Sequence, residues 1–182
     1  VTPNIKDMIS ILVWIPFTDF GFDFDKESLS CLGSILWKKI NQFQKMNQTN
    51  CGTEHLHRYE DDFISKLYQI GENMSLPPEL NFTYIKMLFN ELQNMILNKN
   101  IRSIHDVSDG GLFTTLFEMA YSGMKGACIY TNVENEIQLL NMLFSEVPGV
   151  IIEVSNNDWI DVVRPKLNEL NSPYKLVGWT KK

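Results

Sequence analysis

Five residues in one short stretch, "SIHDVSDGGLFTTLFEMAYSG" (103–123), have the types and spacing to do chemistry: Asp106, Ser108, Asp109, Gly110 and Gly111. Asp106 ends a strand-like run and is a hard oxygen ligand of the kind Mg²⁺ takes beside a phosphate. Ser108 or Asp109 is placed to cap the helix that follows, by accepting a backbone N–H from its first turn. Gly110 and Gly111 carry no Cβ, so a ligand can approach their backbone closely. Free N–H groups and the helix dipole at such a point favour an anion, typically a phosphate. The stretch therefore reads as a nucleotide-phosphate corner. It also reads as a plain turn, because Ser-Asp-Gly-Gly is a common way to lead a strand into a helix. It is neither the P-loop nor the dinucleotide fingerprint.

The elements that must hold this corner follow from the apolar pattern. "ISILVWIPF" (9–17) is a buried strand closed by Pro16, and 18–28 is a loop. Leu32, Ile35, Leu36, Ile40 and Phe43 fall at helical spacing. Residues 44–58 are polar and contain Gly52, which predicts a surface excursion, and 59–71 predicts a short amphipathic helix. After Pro77 and Pro78, the stripe Phe82, Ile85, Leu88, Leu92, Met95 and Ile96 predicts a helix ended by Asn98 to Asn100. The back half then alternates. Strands at 101–106, 127–133, 149–154 and 174–179 are separated by helices at 110–122, 135–145 and 158–170. That rhythm predicts one sheet with helices packed on it. Pro165 conflicts with an unbroken last helix, since it removes a hydrogen bond and clashes with the carbonyl four residues back. A kink is expected there, or a new helix with Pro165 in its first turn.

The bulk properties exclude several classes. A chain of 182 residues, 44% hydrophobic, is long enough for one core. A net charge of −6 opposes a nucleic-acid footprint. No apolar run reaches the roughly 18 residues that span a bilayer, so no membrane partner is expected. Cys31, Cys51 and Cys128 are odd in number and far apart, which predicts a reducing compartment rather than a disulfide framework. The chain opens on Val1 without a charged-then-apolar leader, as expected of a segment of a longer protein that is not secreted.

"HDVSDGGL…EMAYSG…G" (105–126), followed by "LFSEVPGVIIEV" (143–154), resembles the phosphoribosylformylglycinamidine synthase family, the glutamine-dependent amidotransferases of purine synthesis. Weaker similarity runs through "VTPNIK", "LGSIL", "QIGENMSLPPEL" and "YKLVGWT". The resemblance implies a single lobe over 1–182, the C-terminal lobe of a synthetase-like half. Residues 1–31 would be linker and entering strand, 38–65 an insertion and 101–182 the motif-bearing core. The implied fold is α+β, a three-layer α/β/α sandwich with a mixed sheet. By position, Asp106 falls on the family's Mg²⁺ ligand and Ser108 on its nucleotide contact; Asp109, Gly110 and Gly111 complete the cofactor-binding set. The family uses ATP and Mg²⁺ to phosphorylate an amide oxygen before ammonia displaces it. The segment alone carries no catalytic residue and is expected to bind no cofactor tightly.

The sequence also departs from that pattern. Leu32 stands where the family has a glycine, the family's Glu-Glu pair is Glu146-Val147, and 38–65 is longer than the usual connection. Cys51, His55 and His57 could hold zinc, or be solvated loop residues with no fourth ligand. The sequons at Asn47 and Asn81 carry little weight without a leader, and His105 reads as a packed or hydrogen-bonded residue. Such losses fit the gammaherpesvirus tegument proteins that resemble this enzyme and bind host proteins of nuclear antiviral bodies. Two functions are therefore carried forward. One is a repurposed, non-catalytic viral module of the tegument and host nucleus, with Tyr59, Phe63 and Tyr68 as contact anchors. The other is the ATP/Mg²⁺-binding lobe of an active cytoplasmic amidotransferase, partnered by the rest of its own chain.

Overall fold

The structure is a computed structural model and describes residues 2–6, 9–18, 80–131 and 136–181. The expected elements at 32–43 and 59–71, the 38–65 insertion, Leu32, the Cys51–His55–His57 cluster and the anchors Tyr59, Phe63 and Tyr68 lie outside the described residues.

Strand β1 is Ile11–Pro16, the first helix α1 is Phe82–Leu97, and β2 is Ile101–Val107. Helix α2 (Gly111–Gly123), β3 (Gly126–Ile129), α3 (Glu136–Phe144) and β4 (Gly149–Val154) follow. A one-turn helix α4 (Asn156–Asp158) runs through a π-helical turn at Trp159–Val163 into α5 (Arg164–Glu169), and β5 is Lys175–Lys181. Pro165 thus sits in the first turn of α5, the second of the two arrangements its sequence position allows. The widened π turn immediately before it accommodates a residue that cannot donate to the helical ladder.

The strands form one sheet in the order β2-β4-β1-β5-β3. Every strand pairing among the described residues is antiparallel, so the expected mixed sheet is corrected to an antiparallel one. Among the described residues the one parallel contact is an isolated bridge, Thr2 to Ser103. The physical reason lies in the connections. The β2-α2-β3 crossover joins strands at opposite edges of the sheet, so strand–helix–strand alternation never brings its two strands side by side.

β1 lies at the centre and explains its own sequence. A strand flanked on both sides and covered on both faces reads as a continuous apolar run. Its pleat sends Val13 and Ile15 to one core, with Leu88, Leu92 and Met95 of α1 and Trp159, Val163 and Leu167 of the last helical segment. It sends Leu12 and Trp14 to the other, with Leu112, Leu116 and Met119 of α2, Met142 of α3 and Val147. Helices therefore cover both faces of the sheet.

The α1 stripe needs one correction. Phe82 is largely exposed, and Tyr84 takes the buried place with its hydroxyl 2.6 Å from Ser172 Oγ. Asn81, the sequon residue, is the helix N-cap: its side-chain oxygen accepts from the N–H groups of Thr83 and Tyr84, both at 3.1 Å.

Beneath α2 lies a fully buried carboxylate. Glu153 of β4 accepts the Ser103 hydroxyl at 2.9 Å and the Lys6 N–H at 2.8 Å. The neighbouring Ile5 is buried and donates its N–H to Met119 O at 3.0 Å. The segment 2–6 is thereby tied to both α2 and the sheet, and α2 is held in place from its C-terminal half.

At the other core, Asp158 accepts Asn100 Nδ2 at 3.0 Å and the Ser155 hydroxyl, while Ser155 Oγ accepts the Asp158 N–H. The Ser155 hydroxyl first, then the Asn100 amide, hold the Asp158 carboxyl below its ordinary 3.8, against a smaller opposing effect of burial. A depressed carboxyl contributes stability above its unfolded pKa and loses it as pH falls through the folded value. Asp158→Asn is therefore expected to unfold more easily than the parent at neutral pH. The gap between them should close as pH drops below 3.8, and thermal unfolding midpoints across an acid series measure it. A gap that stays constant with pH would reject the assignment.

Candidate functional site

The corner forms where β2 ends and α2 begins. Asp106 is the penultimate residue of β2 and its side chain is 72% exposed. Ser108 and Asp109 are exposed, and Gly111 N–H donates to Ser108 O at 3.0 Å, closing the turn. Gly110 and Gly111 both have positive φ, +87° and +66°, a conformation that a Cβ disfavours. All five residues read from the sequence are brought together at one end of one helix.

The structure revises how they act. Neither Ser108 nor Asp109 caps α2, because no side-chain cap hydrogen bond is made at its N-cap, Gly110. Instead, Gly110 N–H donates to Glu146 Oε1 at 2.9 Å. A carboxylate is favoured at a helix N-terminus for the reason a phosphate is, and here the chain supplies one itself. The close approach allowed by Gly111 is also made by the chain. A Cβ on Gly111 would lie 2.5 Å from Ser145 O and 2.8 Å from Phe144 C. Thr114 and Thr115 hydroxyls donate to Gly110 O and Gly111 O, both at 3.1 Å, and fasten the first turn. The segment 144–146 is therefore a clamp on the Ser-Asp-Gly-Gly turn. Phe113 and Phe144, with ring centroids 5.6 Å apart, extend it.

Val147, where the family has its second acid, is fully buried in the α2-side core. An acid with this orientation would be taken out of water among Ile151, Trp14 and their neighbours, which is costly without a partner. His105 is packed and bonded, in line with its reading from sequence. Its Nδ1–H donates to the Asp106 carbonyl at 2.8 Å, and its Nε2 lies 3.1 Å from Glu118 Oε2. Arg102 points elsewhere and donates to Ser10 Oγ at 3.0 Å.

Two participants escaped sequence reasoning. Glu146 was legible only as half of a broken pair, and Glu118 only as the first residue of the EMAYSG run, with no role attached. Contacts between them and the corner cross elements, and no local spacing announces them. Among the described residues no three His, Cys, Asp or Glu side chains group to hold a metal. A Mg²⁺ shared with a phosphate needs only one or two carboxylates, with phosphate and water as its other ligands. Asp106, exposed at the corner, fits that donor role.

Residues 64–182 match the family described as AIR synthase related protein, C-terminal domain. The probable phosphoribosylformylglycinamidine synthase of Arabidopsis thaliana is 35% identical over 111 residues, 60% of this chain and 8% of that protein. The human phosphoribosylformylglycinamidine synthase is 36% identical over 110 residues, 59% of this chain and 8% of that protein. The probable membrane antigen 3 of Saimiriine herpesvirus 2 is 37% identical over 109 residues, again 60% and 8%. The chain thus spans a small part of each of these relatives. Among solved structures, Thermotoga maritima PurL complexed with ATP is similar over 100% of this chain and 23% of that one, with a TM-score of 0.59 and 10% identity. The same protein complexed with FGAR gives 0.60 and 13%, over 100% and 25%. At those identities the likeness is one of fold.

Proposed function

Since the chain belongs to the AIR synthase related C-terminal domain family, in the form found in phosphoribosylformylglycinamidine synthases, we propose that it supplies one wall of a nucleotide-phosphate site in a longer amidotransferase-like protein. The observation that carries this reading is the assembled corner. Asp106 stands exposed at the end of β2, beside a Gly-Gly turn that the Glu146 clamp fixes in shape. When bound, Mg²⁺ would neutralise phosphate charge there. Asp106 would offer it an oxygen, and the turn would orient Asp106 and Ser108 toward the same side of the α2 N-terminus. One wall does not make a site. The lobe alone carries acids at Asp106, Asp109 and Glu146, and the Gly110 and Gly111 N–H groups of the turn are already engaged by Glu146 and Ser108. Residues 1–182 by themselves are therefore expected to bind ATP no tighter than millimolar.

In the full-length protein, ATP with Mg²⁺ is expected to raise the thermal midpoint, since a ligand selective for the folded state stabilises it by mass action. Asp106→Ala should abolish that rise while leaving the unfolding free energy without nucleotide within about 0.5 kcal/mol of the parent, as for an exposed surface side chain. An equal Mg²⁺-dependent rise in parent and variant would remove Asp106, and with it this reading of the corner.

The second reading is a non-catalytic module of a viral homologue, found in tegument and host nucleus, that binds proteins of nuclear antiviral bodies. The similarity to the herpesvirus antigen, level with that to the enzymes, supports it. So does a row of exposed Phe113, Phe117, Tyr121 and Met124 along α2, with Phe117 and Tyr121 stacked at 5.9 Å. Paired Phe117→Ser and Tyr121→Ser changes that leave host-protein capture intact would take α2 out of that reading.

A further inference from the structure

Asp106 sits on the surface, and the one side chain it contacts among the described residues is His105. A surface carboxylate samples several rotamers, and ordering it costs entropy each time a ligand arrives. The His105 ring is in a different situation, only 17% exposed and engaged at both nitrogens. Nδ1 lies 3.2 Å from Asp106 Oδ1 as well as 2.8 Å from the Asp106 carbonyl, and Nε2 reaches Glu118 Oε2 at 3.1 Å. Glu118 lies near the middle of α2, so the ring spans from the helix to the end of the strand. Thr115 adds a second tie between the same elements, its hydroxyl donating to the Asp106 carbonyl at 3.3 Å.

We propose that His105 is a positioning residue for Asp106: braced by Glu118 on α2, its ring holds the Asp106 carboxylate in the orientation that faces the corner. The inference rests on the nucleotide reading above only for what Asp106 then meets. The brace itself is a property of this chain. It gives the histidine of the His-Asp pair a task that is neither acid–base chemistry nor simple packing. It also makes Glu118, whose carboxylate meets the far side of the His105 ring, a contributor to metal affinity at a distance.

Partners that orient a metal-binding carboxylate are worth about 10–100-fold in metal affinity. The probe is Mn²⁺ with ATP on the full-length protein, read by the free-Mn²⁺ paramagnetic signal. His105→Ala is expected to weaken Mn²⁺ binding about tenfold, and Glu118→Gln by a smaller factor. His105→Asn keeps a donor toward Asp106 and should retain more affinity than His105→Gln, whose amide reaches toward Glu118 instead. A loss of packing alone would not order the two amides this way. If Asp106→Ala loses Mn²⁺ while His105→Ala and Glu118→Gln bind like the parent, the brace is overturned. If Asp106→Ala also binds like the parent, the nucleotide reading fails, and the brace is decided without nucleotide by the ¹³C resonance of the Asp106 carboxyl. That resonance moves in Glu118→Gln if the ring couples the two acids. If it stays where it is, the proposal is wrong.

Discussion

Glu153→Ala is expected to lower the unfolding free energy by about 3 kcal/mol, because the cost of stranding the buried Ser103 hydroxyl falls on top of a cavity. Glu153 is wholly buried and accepts both the Ser103 hydroxyl and the Lys6 N–H. Removing it leaves the buried Ser103 hydroxyl dry and unpaired and takes its acceptor from the part-buried Lys6 N–H. A buried charge is weak evidence for net stability in itself, which gives the prediction a second edge. Glu153→Leu combined with Ser103→Ala, which removes the hydroxyl along with its acceptor, should cost less than Glu153→Ala alone. Urea titration reads both, as a shift of midpoint at unchanged slope. Amide exchange at Lys6 should rise in either variant, as the N-terminal segment loses its anchor. A loss under about 1 kcal/mol for Glu153→Ala, below the usual cost of one stranded buried group, would show that the carboxylate is not holding that segment.

Gly111→Ala is expected to be comparably severe, at about 2–4 kcal/mol, and Gly110→Ala clearly milder. Both residues have positive φ, so each alanine meets backbone strain of about 1–2 kcal/mol. The difference lies in what the new methyl meets. At Gly110 it meets Thr114 Oγ1 at 2.1 Å, the end of a side chain that can rotate away at the loss of one hydrogen bond. At Gly111 it meets the Ser145 carbonyl at 2.5 Å and Phe144 C at 2.8 Å, which are main chain and can yield only if the clamp moves off the corner. Denaturation midpoints should rank the two, and faster exchange of the Gly110 amide in Gly111→Ala would report the clamp opening. Equal effects would mean that segment 144–146 is not what fixes the turn.

Much of this fold was legible because its information is local. The run from Ile11 to Pro16, the helix after Pro77-Pro78, the strand–helix alternation and the break before Pro165 follow from burial period and backbone chemistry. Strand order did not follow, because pairing is decided between segments far apart, and alternation suits parallel and antiparallel sheets alike. The corner divides in the same way. Its five residues lie close together in sequence and could be read, yet Glu146, which meets Gly110, and Glu118, which meets the neighbouring His105, come from other elements or later turns. Ser108 and Asp109 have the right chemistry for a cap, and Gly110 in the left-handed region turns the chain so that Glu146 takes that place. Phe82 and Tyr84 exchanged roles because Tyr84 has a hydroxyl that finds Ser172 inside, a consideration absent from any count of apolar residues.

The central place of β1 has a consequence for how the chain is made. Among the described residues its two neighbours, β4 and β5, are the last strands to be made. During synthesis Leu12, Val13, Trp14 and Ile15 therefore emerge long before either of the two strands that flank them in the finished sheet. Non-local pairing of this kind folds slowly, and an apolar strand with open edges is what other chains add to. The stretch of sequence most diagnostic of the finished core is thus also its most exposed liability while the chain is growing, and a nascent chain stopped before Lys175 would carry it unprotected on one side.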